Sequence, residues 1–364
     1  MKKGLLIAAL TTTAIYGDGM TSDISTPTSY CAENFLPKYN NHPYFVLDFI
    51  YWAAKQEGNT YAETGKAITV PGTADPHISL TPGLITGAGE IYAPEPTASP
   101  GFKVALGMNL EYDAWDLFLD YSFLYGTQDS AVSSENLNTG IIPLFFYAPN
   151  NSIFTACTFD GGSTGYIENS HAHWMFQYNN MHLELTKSIP LHCQMVLNPH
   201  FGLQGAWIRQ HFHSVYVINS VASLTTAIGG SQTHFVQSFW GVGPTFGVNG
   251  LWHCCKHLGF FGNSGLALLW GNYDTALKAF ETNGLRGYTG VQVADQKYDP
   301  TTLSPVLELS LGASSDWMLY NKYRFVLDLS WDAQVWFSHN QHSSSIADTD
   351  LIFQGLTAGV RFDF

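Results

Sequence analysis

Ten stretches of this chain alternate apolar and polar residues with a period of two, each long enough to cross a bilayer as a tilted strand. They are 44–54, 101–112, 115–125, 171–186, 195–213, 234–248, 258–271, 303–313, 323–337 and 350–364. In 101–112, Phe102, Val104, Leu106, Met108, Leu110 and Tyr112 share one face, with Lys103, Ala105, Gly107, Asn109 and Glu111 on the other. The turn Asp113-Ala114 then leads into Trp115, Leu117, Leu119, Tyr121, Phe123 and Tyr125, so the two segments read as a hairpin. The connections alternate in length without exception: 55–100, 126–170, 214–233, 272–302 and 338–349 are long or medium, and those between them are short. Outer-membrane barrels have short periplasmic turns and longer extracellular loops, whereas a Greek-key sandwich has no reason to show that order. No segment supplies the roughly 20 apolar residues of a spanning helix.

The predicted fold is therefore all-β, a transmembrane antiparallel up-and-down β-barrel with an even number of strands between ten and fourteen. Twelve is the preferred count, because 55–100 and 126–170 are long enough to hold further hairpins, for instance around Asn59–Val70 or Ile141–Thr158. The last nine residues, Leu356–Phe364, alternate to the end and close on an aromatic residue. In a closed barrel that strand pairs with the first, so segment 44–54 is its expected partner. In 171–186 the apolar positions change from even (Trp174, Phe176, Tyr178) to odd (Met181, Leu183, Leu185), which predicts a bulge near Asn179-Asn180. Pro244 inside a strand is expected at a bulge or near an end.

Composition agrees with lipid as the solvent of the outer face. Charged residues are only 12% of the 364 and aromatics 15%, against about 25% charged in ordinary soluble domains. A secreted β-sandwich is the competing reading of composition alone. The net charge of −14 argues against nucleic acid as a partner. Lys2 and Lys3 before the apolar run Leu5–Leu10 read as a secretory signal. The expected division is a signal peptide over 1–17, a periplasmic segment over 18–43 and the barrel over 44–364.

Several phrases resemble the major outer membrane protein family of Legionella and of chlamydia-like bacteria. They are YFVLDFIYWAAKQEG (Tyr44–Gly58), GFKVALGMNLEYDAWDLFLDYSFLY (Gly101–Tyr125), NPHFGLQGAWIRQ (Asn198–Gln210), WGVGPTFG and GNSGLALLWG within Phe239–Gly271, and the C-terminal LDLSWDAQVWF and GLTAGVRFDF. The resemblance implies a pore-forming barrel of the outer membrane with a porin or structural role, and offers no catalytic residues. The terminal Phe364 also resembles the C-terminal signal of outer-membrane barrels, which makes the barrel assembly machinery and outer-membrane lipid the expected partners.

The candidate chemistry is sparse. Cys31, Cys193, Cys254 and Cys255 all fall on the expected periplasmic side, Cys157 in an outer loop, and the compartment is oxidising. This clustering suggests disulfide links to a second copy or to other envelope proteins, with incidental reduced thiols as the alternative. The adjacent thiols of His253-Cys254-Cys255-Lys256-His257 lack the spacing that brings two thiolates onto one ion. His171 with His173, and His211 with His213, lie pairwise on strand faces joined by the turn at 187–194. Four imidazoles could hold Zn or Cu, against the plainer reading of rim histidines. Gly161-Gly162-Ser163-Thr164-Gly165 matches a nucleophile-elbow pattern but lacks its strand-to-helix setting. Asp48, Lys103, Glu111, Asp116, Asp120, His200, Glu308, Arg324, Asp328, Asp332 and Arg361 fall on the inner faces of the expected strands and are the candidate pore lining. Their excess of acids predicts a mild preference for cations. No cofactor or enzymatic activity is expected. The function these readings favour is a diffusion pore for small hydrophilic solutes; the alternative is a non-conducting structural or adhesive barrel acting through its loops.

Overall fold

The structure is a computed structural model that describes residues 43–67, 85–86, 89–110, 115–133, 139–144, 165–192, 194–220, 228–255, 257–283, 288–320, 323–341 and 349–364. Ten antiparallel strands form its wall: β1 (Pro43–Gln56), β2 (Ala98–Asn109), β3 (Trp115–Ser133), β4 (Gly165–Lys187), β5 (Met195–Ser220), β6 (Ile228–His253), β7 (Leu258–Asn283), β8 (Thr301–Leu319), β9 (Tyr323–Asn340) and β10 (Thr349–Asp363). Each pairs with its neighbours in sequence, and β10 pairs with β1 from Tyr44 opposite Asp363 to Gln56 opposite Leu351. The expected partner of the last strand is thus the observed one, and the barrel is closed.

The closed wall has ten strands, and two short strands added to it bring the sheet to twelve. Ile189–His192 pairs with β5 at the end carrying the termini, and Tyr288–Tyr298 pairs with β7 at the opposite end. Among the described residues, 55–100 and 126–170 add no hairpin to the wall. Their strands Ala62–Ala67, Ile85–Thr86, Ile91–Tyr92 and Thr139–Pro143 instead form a separate small sheet.

The outer surface carries the band that lipid requires. On β1, Phe45, Leu47, Phe49 and Tyr51 point outward and are exposed. Trp207, Trp240, Trp270 and Trp331 ring its far edge. Trp252 with Phe260, Trp317 with Phe325 and Tyr323 with Phe362 ring the edge near the termini, as ring pairs 5.7–6.0 Å apart. Phe260 and Trp270 are ten residues apart on β7. At about 3.3 Å per residue and a tilt of about 40°, that gives a band about 25 Å tall, the height of an outer-membrane hydrocarbon layer.

Beyond that band the oily face changes sides. No register shift occurs at Asn179-Asn180: β4 pairs with β5 without interruption from Thr186 opposite His200 to Asn169 opposite Val217. The expected bulge is therefore absent there, and the single irregularity of this pair lies between Val217 and Ile218. Met181 and Leu183 point outward into lipid, whereas Trp174, Phe176 and Tyr178 point inward and are fully buried. The same switch occurs on β5, where Trp207 is exposed and Phe212 and Tyr216 are buried, and on β6, where Trp240 is exposed and Phe239 and Phe235 are buried. One pleat serves two solvents: lipid outside along the membrane, and the barrel's own interior above it. That interior holds the core, which continues into the small sheet through Tyr61, Ala62 and Ile141. Tyr216 donates its hydroxyl to the Tyr61 carbonyl at 2.7 Å, joining wall and small sheet.

Pro244 sits at neither a bulge nor a strand end. The β6–β7 pairing breaks at Gly243 and Pro244 and resumes in the same register at Thr245 opposite Ala267. Proline has no N–H to give the ladder. Gly243 beside it lets the two backbones close, since a Cβ there would overlap the Leu268 carbonyl.

Candidate pore lumen

Inward residues at the end near the termini are polar. They line a cavity of about 370 Å³ bounded by Tyr44, Asp116 and Arg361 at the mouth and by Trp52 and Gln334 at its far end. Seven carboxylates reach it, from Asp48, Asp116, Asp120, Glu184, Glu308, Asp328 and Asp332, against Lys103, Arg361 and the His182 imidazole, whose two nitrogens face Asp120 and Glu308. At the mouth Tyr44 donates to Asp116 Oδ2 at 2.6 Å, and the Arg361 guanidinium lies 3.6 Å over the Tyr44 ring while binding Asp363 at 2.6 Å.

Deeper in, a network joins opposite walls. Lys103 Nζ of β2 lies 3.5 Å from Asp120 Oδ2 of β3, and Asp120 Oδ1 is 3.1 Å from His182 Nδ1 of β4. His182 Nε2 is 3.4 Å from Glu308 Oε1 on β8, which also accepts from Gln204 Nε2 of β5 at 3.0 Å. Gln204 donates as well to Asn180 Oδ1 at 3.1 Å. One step outward, Tyr178 of β4 donates its hydroxyl to Gln334 Oε1 of β9 at 2.7 Å. The contacts of His182 and Gln204 with Glu308, and of Tyr178 with Gln334, join strands that are not neighbours in the ring, so these cross the lumen; the others link adjacent strands.

Immediately outward lies an unbroken stack of aromatic rings. Trp174 and Phe176 of β4 are 5.0 Å apart, Tyr178 and Phe353 of β10 are 4.6 Å apart, and Tyr178 meets Trp336 of β9 edge-on at 6.0 Å. Phe239 of β6 completes the span, 6.2 Å from Trp336 and 4.6 Å from Tyr273 of β7. The Phe239 ring fits because Gly241 and Gly271 lie against it; a Cβ on Gly271 would overlap the ring edge at Cε2. Every ring of the stack is buried. The lumen thus has two parts, an acidic chamber and an aromatic layer level with the outer Trp ring.

The family model for the Legionella pneumophila major outer membrane protein precursor matches residues 36–364. The chain belongs to this family. As a member of the major outer membrane protein family it is a protein of the bacterial outer membrane, whose barrels have their short turns on the periplasmic side. Among solved structures, the outer membrane protease OmpT from Escherichia coli is 9% identical with a TM-score of 0.38, covering 89% of this chain and 97% of that one. A major outer membrane protein from Thermus thermophilus is 9% identical with a TM-score of 0.26, covering 88% and 99%. A Pseudomonas aeruginosa FadL homologue is 8% identical with a TM-score of 0.23, covering 89% and 90%. A search of curated protein sequences gave no match.

Of the residues expected in the lumen, Asp48, Lys103, Asp116, Asp120, His200, Glu308, Asp328, Asp332 and Arg361 line the chamber. Arg324 sits at the mouth instead, 3.6 Å from Asp316 and 3.9 Å from Asp363. Glu111 lies outside the described residues, as do Cys31, Cys157, Cys193 and 161–164. His182, Glu184 and Asn180 are not among the expected lining residues, and Gln204, whose parity on its strand is that of His200, is not singled out. Cys254 and Cys255 lie in the periplasmic turn after β6, with Sγ atoms 3.7 Å apart. Desolvation and the neighbouring Cys255 thiol push the Cys254 thiol above its usual range, which lowers its thiolate fraction.

Proposed function

We propose that the protein is a diffusion pore for small hydrophilic solutes with a mild preference for cations, and that the aromatic layer with its cross-lumen bonds is the gate. The observation that carries this reading is the chamber inside the membrane-level wall, where seven carboxylates outnumber Lys103, Arg361 and His182. Charged side chains on a pore wall set which ions enter. The lumen is narrowed at the layer of Tyr178, Trp336 and Phe353, where side chains from β4, β9 and β10 meet, so a path for solutes requires these rings to move.

A second reading is a barrel that stays closed and acts through its outer surface. The continuous ring stack favours it, because a packed core costs free energy to open. Single-channel recording of the refolded full chain in planar bilayers separates the two. The pore reading expects discrete openings and a larger permeability for K⁺ than for Cl⁻. Silence at every voltage would leave the closed barrel.

A further inference from the structure

On the outer face of the wall, above the lipid band, one cross-strand row runs over five strands. Asp129 of β3 is opposite His173 of β4, His173 is opposite His213 of β5, His213 is opposite His234 of β6, and His234 is opposite Lys278 of β7. The sequence pairs are thereby re-sorted. His173 and His213 belong to the row, His171 and His211 lie one step along the strands, and His234 and Asp129 are members that spacing alone did not reveal.

Three features of the row point to a ligand. Asp129 Oδ1 is 2.7 Å from His173 Nδ1 and 3.5 Å from His171 Nε2. A carboxylate on Nδ1 fixes the tautomer that leaves Nε2 with a free lone pair, the arrangement common behind metal-bound histidines. The rings of His213 and His234 stack face to face, 4.0 Å apart and 10° from parallel. His213 Nε2 is shielded from solvent yet has no hydrogen-bond partner. An unpartnered imidazole nitrogen between two further imidazoles is satisfied by a metal ion without any new donor.

We propose that His173, His213 and His234 form a binding site for a borderline divalent cation, Zn²⁺ or Cu²⁺, with Asp129 as the positioning carboxylate. Neutral imidazole nitrogens suit these ions better than Mg²⁺ or Ca²⁺, which take oxygen ligands. Neighbouring strands lie about 4.8 Å apart, so the outer two histidines are rooted about 10 Å apart and lean inward to reach a common ion. Among the described residues no three donors already converge, so binding turns the His213 and His234 rings out of their stack. Lys278 closes the row on β7 and repels a cation, which holds the ion toward the Asp129 end. Bound there, the ion ties β4, β5 and β6 together outside the membrane.

The test is titration of the refolded full chain with ZnCl₂ after chelator treatment, read by calorimetry. Wild type is expected to take up one more equivalent than His213→Ala or His234→Gln, a difference that periplasmic thiols and other histidines do not affect. Asp129→Asn weakens that equivalent by about 10- to 100-fold, and His257→Ala in a periplasmic turn leaves it unchanged. With Cu²⁺ in place of Zn²⁺, electron paramagnetic resonance is expected to show nitrogen ligands that both histidine variants reduce. The variants sit on an exposed face, and the heat-modifiable gel shift reports that each has folded. Equal stoichiometry and affinity in wild type and both folded histidine variants overturns the proposal.

Discussion

Lys103 and Asp120 show what a charge inside this barrel depends on. The carboxylate is 3% exposed and holds both Lys103 Nζ and His182 Nδ1, whereas the lysine side chain is 30% exposed and keeps part of its hydration. Removing one partner of a buried pair costs about 3–5 kcal/mol because the other charge is left behind. With Lys103 partly in water and His182 still bonded to Asp120, the cost of Lys103→Met falls to about 2 kcal/mol. Urea unfolding in detergent, followed by tryptophan fluorescence, should show this loss. Lys103→Met combined with Asp120→Asn should recover part of it, as expected when two residues share one network. A Lys103→Met variant as stable as wild type would mean that the Lys103–Asp120 contact contributes nothing to the fold.

At the scale of the strand, the informative event is the change of face. Trp331 and Trp336 are five residues apart on β9, so they point to opposite sides, one into lipid and the other into the ring stack. Trp336 is fully buried, and truncation of such a residue costs about 3–5 kcal/mol in lost burial and residual cavity. Trp336→Ala is therefore expected to lower the unfolding midpoint and, in bilayers, to enlarge the single-channel conductance. A destabilised variant with unchanged conductance would mean that the layer is not the constriction. Period-two alternation places all ten wall strands and most of the lumen charges. It cannot place the interior aromatics, because a pattern of alternation says which residues share a face and not what solvent that face meets. By parity alone, Trp174, Phe176 and Tyr178 look lipid-facing, and only a bulge that the strand does not have would reconcile them with Met181 and Leu183. The His173–His213–His234 row is out of reach for a different reason: cross-strand neighbours depend on register, and register is set by the whole wall.

At the scale of the molecule, ten strands give a narrow barrel whose interior side chains meet across it, so occupancy of the lumen and selectivity are one problem. The chamber's seven carboxylates outnumber Lys103, Arg361 and His182, which leaves an excess of negative charge where, on the pore reading, a solute would pass. Asp48 on β1, opposite Lys103 of β2, and Asp328 and Asp332 on β9 flank β10 and supply three of the seven carboxylates. Negative charge on the wall raises the local concentration of cations and lowers that of anions, and it does so more strongly at low salt. Under a KCl gradient a cation-preferring pore has a reversal potential that holds K⁺ back from the dilute side. The triple variant Asp48→Asn, Asp328→Asn, Asp332→Asn should move that potential toward zero and then toward the Cl⁻ value. The shift should be larger in dilute than in concentrated KCl, because screening weakens the wall charge. A wild-type potential on the Cl⁻ side, or a triple variant indistinguishable from wild type at low salt, would detach selectivity from the acidic chamber.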